Sequence, residues 1–114
     1  MSDRTDAYIA AWNEPDGDRR LELLAQCMSA DAELVDRRGR HQGLEVMRDR
    51  LGTFVASVPG AEVVRSTEDQ EVGGFVRHRF TVVEGGETRV EGLNVFELAE
   101  DGSLRRVVMF FDDP

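Results

Sequence analysis

Between positions 61 and 111 the chain reads as one extended segment after another, cut by three glycine-bearing pairs: Gly73-Gly74, Gly85-Gly86 and Asp101-Gly102. Such pairs supply the positive φ angles that tight hairpin turns require, and the last two are the strongest hairpin signals in the chain. The spacing predicts strands over 61–72, 75–84, 87–99 and 103–111. Consecutive hairpins make one curved antiparallel sheet, whose apolar face must be covered by something else in the chain. Gly92, in the middle of a strand, predicts a bulge or a sharp bend there.

The cover comes from the first 60 residues, where the hydrophobic period changes from two to nearly four. A helix is predicted over 3–13, capped by Asp3 or Ser2, with Tyr8, Ala11 and Trp12 on one face. The turn chemistry of Glu14-Pro15-Asp16-Gly17 ends it. Asp18 is expected to cap a second helix carrying Leu21, Leu24, Ala25 and Met28 at i, i+3, i+4 and i+7, so that the two form a helical hairpin. Residues 32–37 read as a strand, Arg38-Gly39 as its turn and 40–42 as a short return. Gly43 opens a third helix with Leu44, Met47, Leu51, Phe54, Val55 and Val58 on one stripe, and Pro59-Gly60 closes it. The expected fold class is therefore α+β: three N-terminal helices packed on a bent antiparallel sheet, a cone with a cavity, formed by one domain over 1–114 with no linker, repeat or low-complexity segment.

Charge and composition exclude several kinds of function. A net charge of −9 repels phosphate backbones, so neither nucleic acid nor an anionic membrane is expected as a partner. All 14 basic residues are Arg; without any Lys, Schiff-base chemistry and P-loop phosphate binding are ruled out. Cys27 is the one cysteine, in a helical apolar pattern, and is read as a core residue. With two His and no paired Cys, no metal site and no cofactor is expected. No apolar stretch approaches the roughly 18 residues of a membrane span, and the first residues lack the apolar run of a signal peptide, so the expected location is the cytoplasm.

Four polar residues fall in phase with apolar neighbours. Asp36 shares a strand face with Ala32 and Leu34. A carboxylate there is either a general base whose pKa desolvation raises, or a strand-end Asp bonded to the Arg38-Gly39 turn or to an Arg. Tyr8 faces the same interior and needs a partner for its hydroxyl, structural or functional. Asn94 lies in phase with Val90, Gly92 and Phe96, and either bonds a neighbouring side chain or offers its amide to a ligand. His78 lies in phase with Val76, Phe80 and Val82, as a satisfied core residue or a proton-transfer group. His41, in a polar turn, is expected at the surface, and Asp112-Asp113-Pro114 as a solvated tail.

These segments resemble the nuclear transport factor 2-like superfamily, in particular its small SnoaL-like and ketosteroid-isomerase-like members. The resemblance rests on the Tyr8–Asn13 helix, the second helix ending at Ser29-Ala30-Asp31-Ala32, the Val35-Asp36 strand, the Gly43 helix start, the Gly92–Leu98 strand and Val107–Phe111. It implies a proton-transfer site in which Asp36 is the base that works next to a carbonyl. Tyr8 and Asn94 would hold the developing enolate oxygen. Asn94 stands where the isomerases carry a protonated Asp, and Arg37 where a Pro usually follows the base. His78 matches the inward His of the related polyketide cyclases and would line or tune the pocket, whose apolar wall would comprise Trp12, Phe80, Val82, Phe96, Met109 and Phe111. The expected substrate is a small, cyclic, mostly hydrophobic molecule. The other reading is a ligand-binding or dimerising module without catalysis, with a homodimer formed through the outer face of the sheet and with Arg77, Arg79 and Arg105 in its interface.

Overall fold

A computed structural model describes residues 3–112, with side chains described from Thr5 onward. The elements run α1 (Asp3–Trp12), α2 (Gly17–Cys27), β1 (Met28–Asp36), β2 (Gly39–Gln42), α3 (Leu44–Ser57), β3 (Glu62–Arg65), β4 (Gln70–Val72), β5 (Phe75–Glu84), β6 (Glu87–Leu98) and β7 (Leu104–Phe111). The proposed caps of α1 lie outside the described side chains. Three helices cover one side of a curved, unclosed sheet, the expected α+β arrangement.

Four local expectations are corrected. Asp16, not Asp18, caps α2: it is extended, and its carboxylate accepts from the Asp18 N–H at 3.1 Å. Met28 ends the helix and begins β1 rather than extending the apolar stripe. The strand expected over 61–72 is two strands, β3 and β4, both antiparallel to β5, parted at 66–69 where Ser66 and Thr67 bond the Arg79 backbone and Asp69 turns inward. Finally, the sheet is mixed. Its order is β2-β1-β7-β6-β5-β3, and β1 pairs with β7 in parallel while the other neighbours are antiparallel. That parallel pair places Leu34 beside Val107 and brings the end of β1 to the mouth of the cone.

The predicted turns hold, and Gly73, Gly74, Gly85, Gly86 and Gly102 all take positive φ. Gly92 works by closeness rather than by bending. A Cβ there would stand 2.3 Å from the Phe110 carbonyl and 2.5 Å from Phe80 Cζ, while the register shifts of β6 fall elsewhere, opposite Val82/Val83 and at Glu97/Leu98. Tyr8, Ala11 and Trp12 of α1 and Met47 and Leu51 of α3 pack on the inner face of the sheet, where Leu34, Val76, Phe80, Phe96 and Val107 are buried. Two polar side chains tie the layers together. Asn13 exchanges a pair of hydrogen bonds with the Val63 backbone, 2.8 and 2.7 Å, acting as one more rung on β3. Buried Arg20 holds the Glu14 carbonyl at 2.7 Å and closes the end of α1.

Candidate functional site

Directly opposed on β5 and β6, His78 and Asn94 are both buried in the inner face of the sheet. His78 Nδ1 lies 2.9 Å from Asp69, and its Nε2 lies 3.0 Å from Asn94 Nδ2. A carboxylate can only accept, so Nδ1 carries the proton and Nε2 of the neutral ring accepts from the Asn94 amide. Burial pushes the His78 pKa below its ordinary value against the pull of Asp69, consistent with that neutral form. Asp69 is itself braced by the Thr5 hydroxyl at 2.6 Å. This chain fixes the orientation of the amide: Asn94 Oδ1 is left without a hydrogen-bond partner in the interior.

Two further buried polar atoms share that condition, Tyr8 Oη and Trp12 Nε1. They sit one helical turn apart on α1, their rings edge-to-face at 6.4 Å. Burial raises the Tyr8 pKa well above its usual value; the Trp12 N–H slightly favours the phenolate, without reaching hydrogen-bond geometry. Most buried polar groups in proteins are paired, so three orphans among the described residues are informative.

A chamber of about 40 Å³ lies inside. Of the residues expected in the site, Trp12, Phe80, Val82, Asn94, Met109 and Phe111 line it, whereas Tyr8, His78, Phe96 and Asp36 do not. The tertiary structure adds Arg50, Phe54 and Val63. Arg50 and Phe54 carried a sequence signal, since they continue the α3 stripe three and seven residues after Met47. Asp69 carried none, being hidden in a segment that read as strand. At this size the chamber admits roughly one water or a single small substituent. A whole ring requires Phe111 or Arg50 to move aside.

Asp36 takes the second of its two expected arrangements, bonded to the turn and to an Arg. Its side chain is fully buried, but one oxygen accepts from the Arg38 N–H at 2.9 Å and from His41 Nε2 at 3.0 Å, and the other takes Arg50 Nε at 2.8 Å. Desolvation pushes its pKa up, yet the His41 and Arg38 hydrogen bonds and the Arg50 charge outweigh that, so the carboxyl lies below its ordinary value rather than above it. His41 is correspondingly no free surface residue. Arg50, held by Asp36, lies 5.7 Å over the Trp12 ring, so the carboxylate positions a cation on the chamber wall. Cys27 is buried as expected, its thiol pushed up to about 12 and so unreactive. Among the described residues no group of His, Cys, Asp and Glu is arranged to hold a metal ion, and no helix is long and apolar enough to cross a membrane.

A family model described as a SnoaL-like domain matches residues 5–107. Among solved structures, a proposed isomerase of the SnoaL-like family from Agrobacterium tumefaciens superposes with a TM-score of 0.90 at 26% identity, over 99% of this chain and 100% of that one. An uncharacterised cystatin-fold protein from Novosphingobium aromaticivorans gives 0.71 at 25% identity, over 96% and 98%. A proposed polyketide cyclase from Sinorhizobium meliloti gives 0.74 at 17% identity, over 96% and 94%, a likeness of fold alone. No curated protein matches the chain.

Proposed function

Since the chain belongs to the SnoaL-like domain family, we propose that its interior binds one small, largely apolar molecule by a single polar end. The observation that carries this reading is the set of unmet hydrogen-bonding atoms of Trp12 and Asn94, two residues that line the chamber, a donor N–H and an acceptor Oδ1. A ligand hydroxyl both accepts and donates, and so is matched in kind to one donor and one acceptor. The Asp69–His78 pair holds Asn94 in the accepting orientation, and the apolar wall of Phe80, Val82, Met109 and Phe111 sheds water when a ligand enters.

Trp12 is the one tryptophan in the chain, so its indole N–H resonance reports on the chamber without ambiguity. Titration with planar phenols is expected to move that resonance saturably, with affinity falling about tenfold in Asn94→Leu, the loss of roughly one well-made buried hydrogen bond. An indole signal that stays fixed up to millimolar phenol would overturn the reading.

One observation favours a catalytic extension. Asp36 holds Arg50 at 2.8 Å, and Arg50 lines the chamber together with Trp12 and Asn94. Proton removal next to a carbonyl, with Tyr8 stabilising the enolate oxygen, is the chemistry that this grouping would serve once Arg50 releases a lone pair of Asp36. The isomerase designation of the Agrobacterium protein is consistent with it. The test is proton exchange at the α-carbon of a bound cyclic ketone, followed by NMR in D₂O. Exchange that is lost in Asp36→Asn, with ketone binding retained, supports catalysis; equal exchange in both proteins leaves a binding module.

A further inference from the structure

Outside Phe111 the surface falls into a second, wider basin of about 560 Å³. Arg50 and Phe111 belong to the walls of both spaces, so the basin adjoins the inner chamber. Its volume lies in the range of ordinary small-molecule sites. Its charge is opposite to that of the whole molecule: Arg37, Arg38, Arg50 and Arg89 line it against the two carboxylates of Glu91 and Asp112, in a chain of net charge −9.

Several of these cations are held in place. Arg50 is fixed by Asp36 at 2.8 Å, Arg89 by Glu84 at 3.0 Å, and the Arg37 guanidinium lies 4.7 Å over the Phe111 ring. Asp112 is engaged by Arg79, away from the arginines of the basin. Arg38 is exposed, and among the described residues its tie is the backbone N–H to Asp36. Guanidinium groups converging on a concave surface with an aromatic floor match a planar organic anion: Phe111 takes the ring face and the arginines take a carboxylate in forked hydrogen bonds.

We infer that the ligand of this protein is an amphipathic organic anion, a flat ring system whose polar end enters the inner chamber and whose carboxylate is held in the arginine-lined basin. This rests on the reading of the inner chamber given above and adds the substrate class. The anion gives the arginines a second role, since ligand charge at Arg37 competes with its contact to Phe111, the residue that separates the two spaces.

Three probes separate the parts: 2-naphthol, 2-naphthoate and 6-hydroxy-2-naphthoate, each titrated against the full chain by Trp12 fluorescence. At low salt, 6-hydroxy-2-naphthoate is expected to bind about tenfold more tightly than 2-naphthol. That ratio should fall toward one in Arg38→Glu/Arg89→Glu and in molar sodium chloride, because partly exposed charge pairs are screened. Both substituted positions are exposed, and circular dichroism checks that the fold is intact. Equal binding of the phenol and the hydroxy acid overturns the anionic basin and leaves the chamber reading standing. Binding of 2-naphthoate as tight as that of the hydroxy acid, with no response to 2-naphthol, keeps the basin but removes the polar contact in the chamber. No Trp12 response to any of the three overturns both.

Discussion

The hydroxyl of Tyr8 is buried and meets no hydrogen-bond partner, which by itself costs about 1–3 kcal/mol. Its ring is well packed, edge-on to Phe96 at 5.2 Å. Tyr8→Phe should therefore leave the ligand-free protein as stable as before or up to about 1 kcal/mol more stable in urea unfolding. A clear loss of stability would mean that the hydroxyl has a partner in solution. His78 sets the pH response. Its folded pKa lies below the ordinary 6.5, so the unfolded chain takes up the proton first. Stability is then complete above that value and declines as pH falls from 6.5 toward the lower, folded value, with Asp69, Arg65 and Asp6 the charges that act on the ring. Urea midpoints measured from pH 8 to pH 5 should show this decline, and His78→Gln should flatten it; an unchanged slope in the variant would place the titrating group elsewhere.

Strand β6 was legible from its pattern, and Gly92 stood out within it, but the physical reason for the glycine was not. A mid-strand Gly permits either a bend or a close approach, and only the positions of Phe80 and Phe110 decide between them. Because one obstructing atom is a backbone carbonyl, Gly92→Ala forces the β6–β7 ladder apart instead of moving a single side chain. The expected cost is about 2–3 kcal/mol, at the upper end of overpacking effects, with Trp12 emission changing as Phe80 is displaced. Gly85→Ala, at a turn position with nothing within 4 Å, would disturb the backbone through its φ of +60° but leave Trp12 emission as it was. The split of the expected long strand into β3 and β4 has a similar cause. Residues 65–71 carry neither an apolar residue nor a Gly or Pro to mark a break, and the break accompanies the contact of Asp69 with a buried imidazole on β5, which has no local signature.

At the scale of the molecule, the outer face of the sheet carries an uncovered apolar row. Val35 pairs with Val108 and Val108 with Val95, while Leu93 pairs with Phe110, which is 54% exposed. Arg77 and Arg79 flank this row on β5, and the ion pairs of Arg106 with Glu97 and Glu33 cross the sheet beside it. The homodimer expected from the sequence would bury this face. Light scattering should then report twice the 12.8 kDa chain mass at micromolar concentration, and Phe110→Glu should shift it to the monomer with the fold retained. A wild-type monomer at millimolar concentration would remove the dimer.

Periodicity, turn glycines and the absence of lysine were enough to determine three helices over a curved sheet, the inward phase of Asp36, His78 and Asn94, and the exclusion of Schiff-base chemistry, because each follows from spacing along a single element. The partners of those inward groups were decided only by tertiary structure. The parallel pairing of β1 with β7, between residues more than 70 positions apart, has no trace in local pattern. Desolvation of Asp36 is outweighed by the His41 and Arg38 hydrogen bonds and the Arg50 charge, which decides between its two expected roles and holds its pKa below the ordinary value. Likewise, the Asp69–His78–Asn94 chain converts an ambiguous buried amide into an acceptor of fixed direction. Facing direction is a property of a strand and can be read from it; charge state and hydrogen-bond polarity belong to the assembled neighbours, which come from every part of the chain.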